Sequence, residues 1–256
     1  MLAIERKNEI LDKLRTEQRV LVSDLAEYYH VTEETIRRDL DKLEKEGYAT
    51  KTYGGAILGN STKTDLSYTI RNKTNVEAKN QIAAIASHLI EDGDHLMLDD
   101  SSTSLYLAKK LKEKKNLTVI TNSVELVVEL NGVEGWTIIL TGGRLKAESL
   151  ALVGDHTQQM LRRYHVDKAV MSCKGIDLES GVTDSSEFHS QTKQSMLHCA
   201  KKRILILDSS KFDKISFIDI APLDAFDTVV TNAAPSKAWL DYFAEHSIEC
   251  LYPGAK

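Results

Sequence analysis

Two adjacent arginines, Arg37 and Arg38, stand early in a segment that has the periodicity of an amphipathic helix. Ile36, Leu40 and Leu43 recur at positions i, i+4 and i+7 and predict one apolar face. The arginines then lie on or beside the opposite face. An arginine presented in this way can bond to the O6 and N7 atoms of guanine in the major groove of DNA. The alternative is an ordinary solvated helix face, on which arginine pairs are common.

A second short helix and a turn precede this segment, so residues 22–43 have the form of a helix-turn-helix. Ser23 is predicted to cap the first helix and Thr32 the second, since Ser and Thr side chains accept hydrogen bonds from the first free N–H groups of a helix. His30 and Val31 form the predicted turn. Such a pair of helices is typical of proteins that place the second helix in the major groove.

Further elements extend this module on both sides. Residues 4–14 predict an amphipathic helix, and Gly47 is the predicted stop of the arginine-bearing helix. Residues 48–53 predict a β-ribbon that closes at Gly54 and Gly55. Three helices and a ribbon make a winged helix-turn-helix.

The charge of this module is weakly acidic. Residues 1–58 contain ten Lys or Arg and twelve Asp or Glu, a net charge of −2, whereas DNA-binding domains are usually basic. The basic side chains that could still share one face are Arg6, Arg37, Arg38, Lys42 and Lys51. A weakly charged module binds poorly alone, so we expect a homo-oligomer, a dimer or tetramer, on repeated half-sites of double-stranded DNA.

Composition limits the remaining classes. The 256 residues are 42% hydrophobic and 28% charged, as in ordinary globular proteins. No stretch approaches the roughly 20 apolar residues that span a bilayer, and no apolar signal region begins the chain. We therefore expect a cytoplasmic protein with no membrane partner. Cys173, Cys199 and Cys250 are far apart, which predicts reduced core thiols and neither a metal site nor a bound cofactor.

The sequence predicts a first domain at 1–58, a linker at 59–74 and a second domain at 75–256. In the second domain, apolar strand-like runs alternate with amphipathic helices, which predicts a mostly parallel sheet covered by helices. The predicted strands are 95–98, 117–120, 137–140, 169–171, 204–207, 228–230 and 248–251.

Small polar residues follow four of these strands, at 99–104, 121–123, 141–143 and 208–211. Ligands of α/β domains bind at the carboxyl ends of strands. Hydroxyl and backbone N–H groups at a helix N-terminus can hold a phosphate. One such cluster alone could be a structural N-cap, but four together predict a pocket for a small anionic or polyhydroxylated ligand, with Lys174 and Lys211 as candidate charge partners.

Beyond these patterns, VSDLAEYYHVTEETIRRDLDKLEKEG followed by YGGA closely resembles the N-terminal signature of the DeoR family of bacterial transcriptional regulators. The resemblance continues through RNKTNVEAKNQIA, LDDSSTS, LTVITNS, ILTGG, SLALVG, KGIDLESGVT and LDSSKF. It implies a winged helix-turn-helix fused to a sensor domain similar in fold to ribose-5-phosphate isomerase. It also implies a sugar phosphate or related metabolite as effector and repression of a carbohydrate catabolic operon.

The resemblance places the DNA contacts on residues 32–43 and on the ribbon, and the effector phosphate against residues 99–103. Together with the patterns above, it gives the candidate DNA-binding residues Arg6, Ser23, Thr32, Thr35, Arg37, Arg38, Lys42, Lys51, Tyr53, Gly54 and Gly55. The candidate effector-binding residues are Asp99, Asp100, Ser101, Ser102, Thr103, Thr121, Asn122, Thr141, Gly142, Gly143, Lys174, Glu187 and Lys211.

Two positions depart from the family pattern. Ser101 stands where the family commonly has Gly, which narrows the approach of a ligand to the backbone. Phe188 or His189 stands where a carboxylate is usual, with Glu187 displaced. Both departures bear on the identity of the ligand.

Two other functions fit parts of the pattern. An aldose–ketose isomerase would use Glu187 or Asp99 as base and Lys174 or Lys211 to stabilise an enediolate. Fold does not imply function, however, and a fused DNA-binding module needs no catalysis. An architectural DNA-binding protein without a ligand leaves the four polar clusters unexplained.

Overall fold

The computed structural model describes residues 2–17, 19–45, 48–58 and 68–255. The chain divides into two compact units, residues 1–66 and 67–256. The predicted helix stop at Gly47 and residues 59–67 of the predicted linker lie outside the described residues.

The first unit is a winged helix-turn-helix, as predicted. Its elements are α1 (Ala3–Glu17), β1 (Arg19–Leu21), α2 (Val22–Tyr29), α3 (Glu33–Lys45), β2 (Ala49–Thr52) and β3 (Gly55–Leu58). The strands form an antiparallel sheet in the order β1-β3-β2. The predicted ribbon is β2 and β3; β1 was not predicted, because three residues are too short to show a period. Ile10, Leu14, Ile36, Leu40 and Leu43 are fully buried in the core of this unit.

The starts of the two helix-turn-helix helices differ. Thr32 caps α3, since its Oγ1 accepts a hydrogen bond from Thr35 N–H at 3.3 Å. The prediction that Ser23 caps α2 is wrong: the helix begins at Val22, and Ser23 Oγ donates to Asp24 Oδ1 at 2.8 Å instead. Val22 N–H donates to the carbonyl oxygen of Gly54 at 2.9 Å. The turn of the ribbon therefore satisfies one of the free N–H groups at the start of α2.

The second unit is built around a parallel sheet. Its elements are α4 (Tyr68–Lys73), α5 (Val76–Ser87), β4 (His95–Leu98), α6 (Ser102–Leu111), β5 (Thr118–Thr121), α7 (Val124–Leu130), β6 (Thr137–Leu140), β7 (Arg144–Lys146), β8 (Ala151–Val153), α8 (Asp155–Leu161), β9 (Val166–Met171), β10 (Gly175–Asp177), β11 (Gly181–Asp184), α9 (Glu187–Cys199), β12 (Ala200–Ile206), β13 (Ile218–Ala221), β14 (Thr228–Val230), α10 (Lys237–Glu245) and β15 (Glu249–Leu251).

Seven parallel strands form the large sheet in the order β15-β14-β12-β9-β4-β5-β6. Each corresponds to one predicted strand, so the predicted fold class is confirmed. Neighbouring residues of β4 are buried on opposite faces: Met97 packs in one apolar cluster, and Leu96 and Leu98 pack in another. The sheet is thus covered on both faces, as parallel sheets require.

Two smaller sheets were not predicted. Strands β10, β11 and β13 pair antiparallel, and β7 and β8 form a hairpin. Several of these strands have only three residues and mix polar with apolar positions. They therefore carry little periodic signal.

The helix α4 occupies residues 68–73, which the sequence analysis assigned to the linker. Its Tyr68 is buried among apolar side chains of the second unit, and Tyr68 N–H donates to the Glu148 carbonyl at 2.8 Å. Tyr106 Oη donates to the carbonyl oxygen of Asn72 at 3.1 Å. This part of the stretch is therefore ordered structure of the second unit, and six residues are too few to show a helical period.

No helix in the described ranges combines the length and the apolar character that crossing a bilayer requires. All three cysteines are free thiols. Cys173 and Cys199 are buried, and burial raises the pKa of Cys173 to about 12. These two side chains are unreactive parts of the core.

Candidate functional site

The first candidate site is the exposed face of α3. Its Ile36 and Leu40 are completely buried, whereas Arg37 and Arg38 are exposed and Thr35 is half-buried. Arg37 Nη2 lies 2.6 Å from Glu33 Oε2, one turn earlier. The apolar face therefore fixes the helix, and the two guanidinium groups remain on the open side, as predicted.

Arg6 is not part of that face. Its Nε donates to Asp39 Oδ2 at 2.7 Å, and both residues are buried. The ion pair ties α1 to α3, so the prediction that Arg6 faces DNA is wrong: the guanidinium is used inside the unit. Lys42 Nζ lies 3.9 Å from Asp39 Oδ1, but half of the Lys42 side chain remains exposed.

Lys51 connects the ribbon to α3. Its backbone N–H donates to Glu44 Oε1 at 2.9 Å, and its Nζ contacts the Asp41 carboxylate. The hydrogen bond to Asp41 raises the pKa of Lys51 above its ordinary value. The ribbon and α3 therefore present one continuous surface.

The tip of the ribbon needs its two glycines for different reasons. Tyr53 at the tip is fully exposed. Gly54 has a φ of +86°, which favours glycine, but a Cβ there would meet no atom within 4 Å. A Cβ on Gly55 would lie 2.1 Å from the Val20 carbonyl oxygen. Only glycine allows β3 to approach β1 this closely.

The second candidate site lies at the carboxyl ends of the large sheet. Because β4, β5 and β6 are neighbours, residues 99–104, 121–123 and 141–143 lie at one edge. Residues 208–211 follow β12, and β9 separates this strand from β4. Three of the four predicted clusters therefore adjoin, and the fourth lies apart.

The N-terminus of α6 is the centre of this edge. Ser101 caps the helix, with its Oγ accepting from Ser104 N–H at 3.0 Å. Asp99 Oδ1 accepts from Ser101 N–H at 3.2 Å and from Ser104 Oγ at 2.5 Å. Within the described residues, the backbone N–H groups of Ser102 and Thr103 donate to no protein atom. Two aligned donors at a positive helix end can bind an anion.

A buried lysine on α9 neutralises this edge. Lys193 Nζ lies 2.5 Å from Asp184 Oδ2 and 3.5 Å from Asp99 Oδ2. Burial opposes the charge of Lys193, but the two carboxylates outweigh it and raise its pKa above the ordinary value. Burial likewise opposes ionisation of Asp184, whereas Lys193, His189 and Lys174 lower its pKa. Asp184 and Lys193 therefore form a charged pair at neutral pH.

A second network begins at Asp100. Its Oδ1 accepts from Asn122 Nδ2 at 3.4 Å and lies 3.2 Å from His189 Nδ1. Lys146 Nζ lies 3.3 Å from the other ring nitrogen, His189 Nε2. Burial raises the pKa of Asp100, but His189, Lys193 and Arg71 together outweigh it and leave the pKa below its ordinary value. Asn122 Oδ1 is buried with no hydrogen-bond partner.

Other predicted effector residues serve the packing of the fold. Thr121 Oγ1 donates to the Leu98 carbonyl at 2.7 Å. Thr157 Oγ1 donates to the Gly142 carbonyl at 2.7 Å, and a Cβ on Gly143 would lie 2.2 Å from this hydroxyl. These glycines allow α8 to pack closely. Thr141 differs, because its Oγ1 is buried without a partner.

Lys211 and Glu187 lie outside the two networks. Asp208 Oδ1, after the end of β12, accepts from Asn75 Nδ2 at 3.2 Å and from Ser210 N–H at 3.0 Å. Burial opposes ionisation of Asp208, whereas Lys211 lowers its pKa. Glu187 is exposed at the start of α9 and accepts from Gln191 Nε2 at 3.0 Å. Of the two residues at the expected carboxylate position, His189 is buried beside Asp100 and Phe188 is exposed.

Sequence reasoning missed Lys146, Asp184 and Lys193. His189 and Lys193 are four residues apart on α9, so they share one helix face, and this spacing beside a polar strand end was a usable signal. Asp184 and Lys146 lie on short strands with no comparable pattern.

Sequence comparison identifies both units. The DeoR-like helix-turn-helix domain matches residues 6–62, and the DeoR C terminal sensor domain matches residues 74–233. The HTH-type transcriptional regulator YulB of Bacillus subtilis (strain 168) is 38% identical, over 91% of this chain and 90% of that protein. The HTH-type transcriptional repressor GlcR of the same organism is 38% identical, over 96% and 95%. An L-fucose operon activator of Haemophilus influenzae is 32% identical, over 95% and 97%.

Among solved structures, ribose 5-phosphate isomerase A of Methanocaldococcus jannaschii is 18% identical, with a TM-score of 0.40 over 54% of this chain and 55% of that one. The family resemblance expected from the sequence is confirmed by the two domain matches and by relatives that align over nearly the whole chain. The chain is a transcriptional regulator of the DeoR family.

Proposed function

We propose that this regulator is a homo-oligomeric repressor of a carbohydrate catabolic operon, which binds its operator through α3 and the β2–β3 ribbon. The exposed guanidinium groups of Arg37 and Arg38, above a fully buried apolar face, carry this proposal. GlcR is named a repressor, whereas the Haemophilus relative is named an activator. A reporter gene placed behind an operator that is selected from random DNA duplexes tests whether the protein represses or activates. If it represses, deletion of the regulator should raise expression of the reporter.

The second unit binds the effector, a phosphorylated sugar or related metabolite. The backbone N–H groups of Ser102 and Thr103 donate to no protein atom among the described residues. Their position after the end of β4 supports a phosphate position there. A bound ligand shifts operator affinity only if it favours one arrangement of the protein over another. Coupling of this kind is typically about 1–3 kcal/mol, or about 5- to 150-fold in DNA affinity.

Fluorescence anisotropy of the selected operator, with and without pentose and hexose phosphates, tests the effector. We expect at least one phosphorylated sugar to weaken DNA binding while its unphosphorylated counterpart does not. If no sugar phosphate changes either operator affinity or melting temperature, the sensor assignment is refuted.

The second candidate function is catalysis by the same edge. Both oxygens of Asp99 are engaged, Oδ1 by Ser101 and Ser104 and Oδ2 by Ser172 N–H at 3.0 Å. A carboxylate held in this way is a poor general base, so we favour binding without turnover. Incubation with ribose 5-phosphate and glucose 6-phosphate, followed by analysis for ketose products, decides between the two functions.

A further inference from the structure

We propose that strand β6 is a dimer interface of the second unit, at which it pairs antiparallel with β6 of a second copy of this chain across a two-fold axis. The pairing joins the two large sheets into one continuous sheet. This inference rests on the proposed function, because it names the surface through which the proposed homo-oligomer forms.

The first step is the open side of β6. The strand is an edge of the large sheet and pairs only with β5. Thr137 N–H and Thr141 N–H each donate inward, at 2.9 Å, to carbonyl oxygens in or beside β5. Neighbouring residues of a strand point their N–H and carbonyl groups to opposite sides, so those of Ile138 and Leu140 point outward. Within the described residues these groups have no hydrogen-bond partner. A second strand satisfies all of them at once.

The second step is the composition of this edge. Open edge strands are usually protected by charged side chains or proline, but β6 consists of Thr, Ile, Ile and Leu. Ile138 and Ile139 are half-buried and pack against different apolar clusters, and Leu140 is 37% exposed. The other edge strand of the sheet, β15, begins with the exposed Glu249. Strand β6 is therefore the edge that suits a partner strand.

The third step identifies the partner as a second copy. In an antiparallel pair centred on Ile139, Ile138 of each copy lies opposite Leu140 of the other. Both residues point outward, so each opposed pair exchanges two hydrogen bonds. The two-fold axis generates this pair twice. The edge is thus complementary to itself, as an interface between identical subunits requires.

The charges on either side of the strand favour the same arrangement. Glu134 and Arg144 each stand five residues from Ile139, one before the strand and one after it. Both are exposed, and neither forms an ion pair within the described residues. An antiparallel pair brings the acid of each copy toward the base of the other, whereas a parallel pair brings like charges together.

The surface beside the strand must contribute as well, since a standard interface buries about 800 Å² on each partner. Helix α7 packs against β6, and its Val128 is 67% exposed. The helix next to the open edge therefore also offers an apolar side chain to a second copy.

Two double variants of the full chain test this register. Ile138→Lys with Leu140→Glu places opposite charges directly opposite one another in the proposed pair. Ile138→Lys with Leu140→Lys places like charges at the same positions. In sedimentation equilibrium, the first variant should associate like the parent, whereas the dissociation constant of the second should rise about tenfold or more. The opposite-charge variant is the matched control for the loss of the two apolar side chains.

A disulfide tests the position of the axis. Ile139→Cys places two thiols at the two-fold axis, where directly opposed residues have Cα atoms about 4.5 Å apart, within the range of a disulfide. Mild oxidation should convert this variant to a covalent dimer. The parent is the control and should stay a single chain on a denaturing gel, because Cys250 lies on β15, at the other edge, and Cys173 and Cys199 are buried.

A parent that sediments as a monomer at every concentration refutes both the interface and the proposed homo-oligomer. If the parent associates and the like-charge variant does so equally well, or if the opposite-charge variant dissociates as readily as the like-charge one, only the interface fails. Absence of the covalent dimer in a folded Ile139→Cys variant refutes the interface too. Melting curves identify a variant that misfolds, and the disulfide then decides.

Discussion

Replacement of Lys193 by Met should strongly destabilise the second unit. Lys193 is the cation between the buried carboxylates of Asp99 and Asp184, and Met keeps the length of the side chain without its charge. Removal of one partner of a buried ion pair leaves an uncompensated charge and costs about 3–5 kcal/mol. With a urea slope of about 2 kcal/mol per molar, the unfolding midpoint should fall by about 1.5–2.5 M.

Tryptophan fluorescence measures this change in one unit alone. Trp136 and Trp239 are the two tryptophans of the chain, and both belong to the second unit. A urea titration of the full protein therefore reports the unfolding of that unit separately from the winged helix.

The pH dependence gives an independent check. In the parent, the pKa of Asp184 is lowered, so its contribution to stability is present above the ordinary aspartate pKa and is lost only as pH falls through the lower value. Without Lys193, burial raises the pKa of the carboxylates, and the folded variant binds more protons than the unfolded chain. The variant should therefore gain stability between pH 7 and pH 5, where the parent pair contributes no change.

Lys201→Met is the matched control, because Lys201 is exposed and its partner Asp167 lies near the surface. Its midpoint should hardly move, since exposed ion pairs contribute little. The reasoning is refuted if Lys193→Met shifts the midpoint no more than Lys201→Met, or if its deficit grows as the pH falls.

Three further outcomes are expected in the DNA-binding and effector sites. Arg37→Ala and Arg38→Ala should each weaken operator binding by about 1–3 kcal/mol in gel-shift titrations if the arginine contacts a base. Unchanged operator affinity of both variants would contradict the assignment of α3 as the recognition helix. Ser102→Glu places a negative charge among the donors of α6, so the variant should bind the operator and no longer respond to a sugar phosphate; a parental response in anisotropy means that the phosphate lies elsewhere. Gly55→Ala should lower the melting temperature and operator affinity, because its Cβ would overlap the β1 carbonyl, whereas Gly54→Asn should be tolerated; equal effects of the two would contradict the packing argument.

The sequence predicted the helices and strands of the fold better than the contacts between residues that are distant in sequence. The strands of the large sheet follow from seven apolar runs, because burial on both faces favours apolar residues in the central part of parallel strands. The predicted cap at Ser23 failed because α2 begins one residue earlier, at Val22, directly after the short strand β1, which the sequence did not reveal. The prediction for Arg6 was wrong because its partner Asp39 lies 33 residues away. An ion pair between such distant residues produces no periodic pattern in the sequence.

At the polar edge of the large sheet, too, some residues were predicted from the sequence and others were not. Ser102 and Thr103 were predicted because strand-to-helix turns have a recognisable composition. Lys193 and Lys146 were not, because long side chains reach the edge from a separate helix and a separate hairpin. The position of a lysine in the sequence therefore says little about where its amine group lies in the folded structure.

Besides the buried Tyr68 side chain, several backbone groups attach α4 to the rest of the second unit. Tyr68 donates with its N–H, the carbonyl of Asn72 accepts from Tyr106, and Lys79 Nζ binds the carbonyl oxygens of Arg71 and Thr74, the latter at 2.5 Å. Every residue type except proline supplies these main-chain groups. Among descendants of this gene, the exposed Lys73 of α4 can therefore vary while the helix keeps its place, and selection should act on Tyr106 and Lys79, which bind its backbone.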